Sequence, residues 1–317
     1  MTERIAPGAR GALTAITLKI MSVTIFVAMS SLIKAVGTVP AGQIVFFRSF
    51  FAIFPVLFYL GFKHELRTAF ATARPLGHMA RGLIGVISMG MTFFALTRLP
   101  LPDAITLNYA QPLLVVVFSS LFLGETIRFY RWSAVAVGLV GVVIISWPEL
   151  TLLTSGAALG DDEVLGVMAA LGGACCSAVA AILVRNLVHS ETTATIVLWF
   201  SMVASIMALF TLPFGWQMLT PTQTLLLIGA GFCGGVAQIL MTSAYRHADV
   251  STVAPFEYTS MILAIAVGYV VFGDIPTAYM LVGGSIVVGA GIFIIWRERQ
   301  LGLERTRTRK ATPPVGG

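Results

Sequence analysis

Two charged residues stand inside long apolar stretches of this 317-residue chain: Arg48 in IVFFRSFF and Glu257 in VAPFEYTS. A charge at membrane depth costs about 2.5–3.5 kcal/mol on insertion scales, so each of these residues is a candidate functional group. Arg48 would either clamp backbone carbonyls or a neighbouring polar side chain, or hold an anionic or carbonyl-bearing ligand directly. Glu257 would form a salt bridge to Arg48, bond a neutral ligand group, or carry a coupling proton.

Two prolines, Pro112 and Pro255, interrupt apolar stretches beside polar side chains. Proline removes a helical hydrogen bond and frees carbonyl groups, and broken helices at corresponding places in two halves indicate a binding site near the bilayer midplane. Glu257 is the coupling candidate, and the residues expected to bind substrate are Arg48, Asn108, Tyr109, Gln111, Gln238, Phe256, Glu257 and Tyr258.

The elements that must position these residues are membrane-spanning helices. The chain is 57% hydrophobic and only 11% charged, with a mean hydropathy of +0.91, which is too apolar for a soluble globule. Its apolar stretches have the length of helices that cross about 30 Å of hydrocarbon. The fold class predicted is an all-α polytopic membrane protein with about ten spans, at residues 13–35, 41–62, 76–97, 102–123, 132–147, 164–185, 192–213, 222–244, 250–272 and 277–296.

The two halves of the chain repeat each other at a spacing of about 149 residues. RGLIG from Arg81 matches AGFCG from Ala230, and FLGE ending at Glu125 matches VFGD ending at Asp274. An odd number of spans in each copy inverts the second copy relative to the first. The predicted organisation is a cytoplasmic N-terminus at 1–12, a five-helix repeat at 13–147, a loop at 148–163, a second five-helix repeat at 164–296 and a basic cytoplasmic tail at 297–317. This alignment places Arg48 opposite Phe200.

Lys and Arg concentrate in the loops on the side of the termini, so both termini are expected in the cytoplasm and the protein in the inner membrane. The basic tail is expected to be a disordered anchor at the anionic leaflet. Four cations lie within two turns of a span end and are expected to reach the headgroups; they are Lys19, Lys34, Arg81 and Arg98.

Several function classes find no support in the sequence. It has no GxxxxGK[ST] phosphate loop for an ATP-driven pump, and no HExxH or GxSxG motif for an intramembrane enzyme. The three cysteines, Cys175, Cys176 and Cys233, lack metal-ligand spacing. We therefore expect no cofactor, no metal site and no nucleic-acid partner. The partners expected are the lipid bilayer and a small molecule, with the protein a monomer or a homodimer.

Four segments carry a family resemblance over nearly the whole chain. They are FFRSFF around Arg48, HMARGLIG from His78, ALTRLPLPDAITLNYAQPLLVVVFSSLFLGE ending at Glu125, and ADVSTVAPFEYTSMILAIAVGYVVFGD ending at Asp274. On these, the chain resembles the EamA group of the drug/metabolite transporter superfamily. The resemblance implies a ten-helix inverted repeat whose cavity is lined by spans one, three, four, six, eight and nine. It also implies that Glu125 and Asp274 stabilise helix ends.

The function expected is that of a secondary transporter of a small organic metabolite. The FFR and APFEY segments resemble importers of riboflavin and S-adenosylmethionine. Riboflavin is the first hypothesis, because its ring would stack on aromatic side chains and its hydroxyls would bond Asn108, Gln111, Gln238 and Glu257. The alternatives are S-adenosylmethionine uptake, amino-acid or metabolite export, and a membrane scaffold that transports nothing.

Overall fold

The computed structural model describes residues 9–64, 66, 69–123, 129–145, 147, 162–187, 190–247, 256 and 259–311, and these are helical with short connections. The helices are α1 Ala9–Ala35, α2 Ala41–Phe62, α3 Pro75–Leu96, α4 Leu101–Asn108, α5 Ala110–Leu123, α6 Phe129–Ile145, α7 Asp162–Leu187, α8 Thr193–Leu209, α9 Pro221–His247, α10 Thr259–Val267 and α11 Ala278–Ala311. A short 3₁₀ turn, Leu212–Phe214, follows α8, and a π-helical turn, Gly268–Phe272, extends α10. The chain is an all-α polytopic membrane protein, as predicted.

Five of the helices are long and apolar enough to cross a bilayer unaided, within α1, α2, α3, α7 and α9. The apolar parts of α6, α8 and α11, and α10 with its π turn, are shorter. Most observed ends fall within a few residues of the predicted spans.

The α2 helix shows how the chain separates lipid from interior. Its phenylalanines at every fourth position are exposed, and they are Phe50, Phe54, Phe58 and Phe62. Its opposite face is buried, and that face carries Val45, Arg48, Ser49, Ala52 and Val56. Residues three and four apart share one face of a helix, so Arg48 points into the bundle.

The predicted break in the fourth span falls at Tyr109, between α4 and α5. Pro112 lies three residues later, inside α5. Because it has no backbone N–H, it cannot donate to the carbonyl of Asn108, four residues before it. The break therefore comes ahead of the proline. Pro255, the second predicted helix breaker, lies outside the described residues.

The last helix is longer than expected. The tail predicted to be disordered continues α11 as far as Ala311. The sequence RERQLGLERTRTRK, residues 297–310, is rich in good helix formers, and Arg297 Nη1 donates to Gln300 Oε1 over 3.0 Å within it. The helix ends two residues before Pro313. The expectation of disorder was therefore wrong for residues 297–311.

Contacts between helices recur at the repeat spacing. Ser88 Oγ of α3 donates to the Gly173 carbonyl of α7 over 2.9 Å, and Ser22 Oγ of α1 donates to the Ala237 carbonyl of α9 over 2.8 Å. Ser22 and Gly173 are about 150 positions apart, as are Ser88 and Ala237. The α3–α7 contact thus has its counterpart in the α1–α9 contact, as expected of a duplicated unit.

Helix ends predicted to lie on the side opposite the termini meet in the structure. Lys34 Nζ lies 3.3 Å from Asp274 Oδ2 and donates to the Leu99 carbonyl, while the Leu101 amide donates to Asp274. Both side chains of this ion pair are less than a fifth exposed, so it contributes more than a fully solvated pair would. Asp274 therefore ties three helix ends together, and Glu125 lies outside the described residues.

The four cations expected to reach the headgroups differ in their surroundings: Lys19 and Arg81 lie inside the bundle, and Lys34 and Arg98 pair with acids near helix ends. Lys19 is fully buried, Lys34 pairs with Asp274, and Arg98 Nε lies 3.0 Å from Asp162 Oδ1 with its guanidinium over the Phe94 ring. Arg81 turns toward the bundle interior, where it belongs to the candidate site.

Candidate functional site

Arg48 is one of two arginines that face the same aromatic ring. Its side chain is only 4% exposed, and its guanidinium carbon lies 5.9 Å from the centroid of the Phe200 ring of α8. The guanidinium carbon of Arg81, from α3, lies 3.7 Å from the same centroid. The two cations are therefore no farther apart than the sum of these distances. We call Arg48, Arg81 and Phe200 the arginine pair site.

The arginine pair site leaves polar hydrogen atoms without acceptors. Within the part of the chain that the structure describes, Arg48 Nε and both Nε and Nη1 of Arg81 are buried and make no hydrogen bond. Buried donors without a partner cost about 1–3 kcal/mol each, and more when charged. The arrangement is suited to accepting an electron-rich group from outside the protein.

Two glycines at equivalent repeat positions make room for the guanidinium groups. A Cβ atom on Gly234 of α9 would lie 3.0 Å from Arg48 Nε. A Cβ atom on Gly85 of α3 would overlap Arg81 Nη1 and lie 2.7 Å from Cε2 of Phe200. Arg48 and Phe200 are themselves opposite each other in the repeat alignment. The site thus lies where the two halves of the chain present equivalent positions to one another.

The residues predicted on the fourth span lie at its break. Asn108 ends α4, partly buried, and its Oδ1 is a buried atom without a hydrogen bond in the described structure. Tyr109 is 6% exposed, and its hydroxyl contacts the hydroxyl of Ser260 on α10. Gln111 is partly buried in the first turn of α5. These positions connect the broken span to α10.

The other predicted residues divide between two places. Gln238 is partly buried in α9, one turn after Gly234 and on the same helix face. The carbonyl of Phe256 accepts from Thr259 Oγ1 over 2.6 Å at the start of α10. Glu257 and Tyr258 lie outside the described residues. The structure thus associates Arg48 with the α9 face that carries Gln238, and Tyr109 with α10.

A second polar group lies at helix ends predicted to be on the side of the termini. The His78 ring, 1% exposed, stacks on Trp199 with centroids 5.5 Å apart, and its Nε2 lies 3.9 Å from Glu191 Oε1. Glu191 accepts from Thr72 Oγ1 over 2.7 Å and from the Ala73 amide over 2.9 Å. This group joins the loop before α3 to the loop before α8.

Glu191→Gln is expected to lower the melting temperature at neutral pH and to have little effect in acid. The Thr72 hydroxyl, with the Ala73 amide assisting, lowers the pKa of Glu191 below its usual 4.5. A carboxylate of this kind stabilises the fold fully above its unfolded pKa and loses that effect as pH falls through the folded value. Thermal melts of parent and variant at descending pH test this. A melting difference that stays constant below pH 4.5 would contradict it.

Sequence reasoning missed Arg81 as a site residue because of its position near the start of a span. Six residues separate it from Pro75, which suggested a side chain directed to the headgroups. The available signal was helix spacing: Arg81 lies three residues after His78, so both project from one face of α3. That face meets Trp199 and Phe200 of α8. Arg48 and Phe200 belong to spans two and seven, which the family resemblance did not include among the cavity-lining spans.

A profile of the EamA-like transporter family matches residues 9–147 and 164–297. The chain belongs to the EamA-like transporter family. The EamA resemblance seen in the sequence is thereby confirmed, and the protein is a membrane transporter of the drug/metabolite type with a small-molecule substrate.

Proteins similar to this chain are named for different substrates. A riboflavin transporter of Vibrio cholerae is 31% identical, covering 80% of this chain and 81% of its own. The pseudopaline exporter of Pseudomonas aeruginosa is 30% identical, covering 87% and 94%. An S-adenosylmethionine uptake transporter of Rickettsia bellii is 27% identical, covering 81% and 84%. A solved crystal structure aligns with a TM-score of 0.63 at 20% identity, covering 91% of this chain and 99% of its own, which shows the fold alone.

Proposed function

We propose that this EamA-like protein is a secondary transporter that moves a small organic metabolite across the inner membrane by alternating access. Arg48 carries the proposal. It is almost fully enclosed by helices, its Nε lacks a hydrogen-bond partner in the described structure, and such a charge is rare in membranes without a functional role. A substrate that enters from one side of the membrane would accept a hydrogen bond from Arg48 Nε, and this bond would break when the substrate leaves to the other side. Both termini are proposed to be cytoplasmic, with the protein working as a monomer or a homodimer.

Riboflavin is the first substrate to test. A relative named as a riboflavin transporter is 31% identical to this chain, and the ring carbonyls of riboflavin are acceptors for guanidinium groups. Its flat ring system also suits an aromatic neighbour such as Phe200. Glu257 remains the proposed coupling residue, through a proton or through a contact with the substrate.

S-adenosylmethionine is the second candidate, because relatives of similar coverage are named as its uptake transporters. Two guanidinium groups around Phe200 would repel its cationic sulfonium group, whereas its carboxylate is an acceptor for them. Metabolite export also stays open, since a relative is named as an exporter.

The test is accumulation of labelled substrate in proteoliposomes that contain the purified protein. We expect saturable riboflavin transport that exceeds protein-free liposomes and that unlabelled riboflavin inhibits. Loading the label inside or outside reveals the direction. Transport of S-adenosylmethionine but not riboflavin would favour the second candidate. Ligand binding without movement of any of these compounds would favour a membrane scaffold.

A further inference from the structure

The arginine pair site has more positive charge than one acceptor-bearing substrate group requires. Arg81 packs its guanidinium closely on Phe200, and Arg48 faces the same ring from α2. Like charges at this separation repel inside the low-dielectric interior of a membrane protein. A sequence that only needed to fill this space would have used apolar side chains, which are cheaper there.

Three of the acids that the structure describes near helix ends are engaged elsewhere. Glu191 accepts hydrogen bonds from Thr72 and Ala73, Asp274 pairs with Lys34, and Asp162 pairs with Arg98. Three buried guanidinium nitrogens of the arginine pair site remain without an acceptor in the described structure. The pair therefore offers open donors, and these three acids do not neutralise its charge.

We infer that Arg48 and Arg81 together bind an acidic group of the transported metabolite, a carboxylate or a phosphate, beside the Phe200 ring. Guanidinium groups match the two oxygens of a carboxylate or phosphate with parallel hydrogen bonds, and such charge-assisted bonds are the strong ones. Phe200 holds the Arg81 fork in place by stacking, so little orientation entropy is lost when the acid binds. This inference rests on the proposed function and specifies its substrate class as metabolites that carry an acidic group, in place of neutral riboflavin.

Glycine at positions 85 and 234 is part of this site. Any side chain at Gly85 would meet Arg81 Nη1 and Phe200, and one at Gly234 would meet Arg48 Nε. Glycine at both positions therefore lets the two guanidinium groups lie against the backbones of α3 and α9.

Two matched probe pairs test the inference, because within each pair the ring is the same and only the acid differs. Riboflavin and riboflavin 5′-phosphate differ by a phosphate, and nicotinamide and nicotinate differ by a carboxylate in place of an amide. Affinity is measured by the ligand-dependent rise in melting temperature of the purified full-length protein. We expect at least one acid to bind the parent protein about tenfold or more tightly than its neutral partner. The pair that shows the preference tells phosphate from carboxylate.

Arg81→Gln is expected to remove the acid preference by lowering the affinity of the acid probe far more than that of the neutral probe. Arg98→Gln is the matched control, because the Arg98 guanidinium also lies 3.7 Å from an aromatic centroid, that of Phe94, but is paired with Asp162. The control should keep the full preference. If Arg81→Gln does not fold, Arg81→Lys keeps the charge without the planar fork and should lose part of the preference.

Equal affinity of acid and neutral probes in the parent overturns the inference, as does failure of every acid to bind. An acid preference that appears only in Glu257→Gln would also overturn it, because Glu257 would then be the natural partner of the arginines. Neutral riboflavin transported without any acid preference would refute the inference and leave the proposed function standing. An acid that binds tightly but never crosses the proteoliposome membrane would support the inference and refute the proposed function.

Discussion

Replacing Arg48 by glutamine is expected to reduce transport by about 10- to 150-fold while the melting temperature stays the same or rises. A hydrogen bond to a charged group contributes about 1.5–3 kcal/mol, and losing it lowers the substrate affinity by about 10- to 150-fold. Glutamine keeps a donor at similar reach but has no charge and no fork. The affected quantity is substrate affinity, so KM should rise more than the maximal rate falls.

The melting temperature distinguishes the two roles that the sequence leaves open for Arg48. A clamp that holds backbone carbonyls would lose about 3–5 kcal/mol of stability when one partner of a buried charged contact is removed. The Nε of Arg48 has no such partner among the described residues, so removing its buried charge should relieve desolvation instead. The measurements are proteoliposome transport and a thermal melt of the same preparation.

Two variants serve as controls for Arg48→Gln. Arg48→Lys keeps the charge but loses the planar fork, and it should retain an intermediate transport rate. Phe54→Leu changes the exposed face of the same helix, where the side chain is 47% exposed, and should leave transport unchanged. A fall in melting temperature for Arg48→Gln with substrate affinity preserved would identify a structural clamp.

Helix positions were predictable because length and hydropathy set them directly. Each span must cover the hydrocarbon layer, so apolar runs such as 41–62 coincide with helices such as Ala41–Phe62. The end of α11 was not predictable in this way. Its continuation to Ala311 depends on helix propensity in a polar segment, which hydropathy does not report.

The candidate site was predictable only in part. Arg48 stood out because a cation in the middle of an apolar run has no headgroup within reach. Arg81 lies nearer a span end, where an arginine side chain can reach either the headgroups or the bundle interior. Only its packing against Phe200, 119 positions later, decides between these two directions. The repeat alignment put Arg48 opposite Phe200, but equivalence in a repeat does not itself imply contact. Contact arises here because the two positions meet where the halves of the chain face each other.

Close backbone contact between α6 and α11 carries the second large prediction. A Cβ atom on Gly283 would lie 2.5 Å from the Gly141 carbonyl oxygen and 3.0 Å from the Ile145 amide nitrogen. A Cβ atom on Gly141 would lie 2.7 Å from the Gly283 carbonyl oxygen. These neighbours are main-chain atoms, which cannot rotate away as a side chain would. The two helices must therefore move apart if either glycine gains a side chain.

Gly283→Ala is expected to destabilise the protein by about 1–3 kcal/mol, the usual cost of overpacking. Membrane helices associate through packing because lipid offers no hydrophobic driving force, so lost contact along α6 and α11 is not recovered elsewhere. Gly289→Ala is the matched control on the same helix. A Cβ atom there has no neighbour within 4 Å, so alanine should be neutral or raise stability by up to about 1 kcal/mol through its helix propensity.

Thermal melts of the Gly283→Ala, Gly141→Ala and double variants in one detergent measure the effect. Both single variants open the same helix contact, so the double variant should lose less stability than the two losses added. Additive losses would mean that each glycine acts through a different neighbour. Equal melting temperatures for Gly283→Ala and Gly289→Ala would contradict the backbone contact between α6 and α11, because only the first of these glycines lies against another helix.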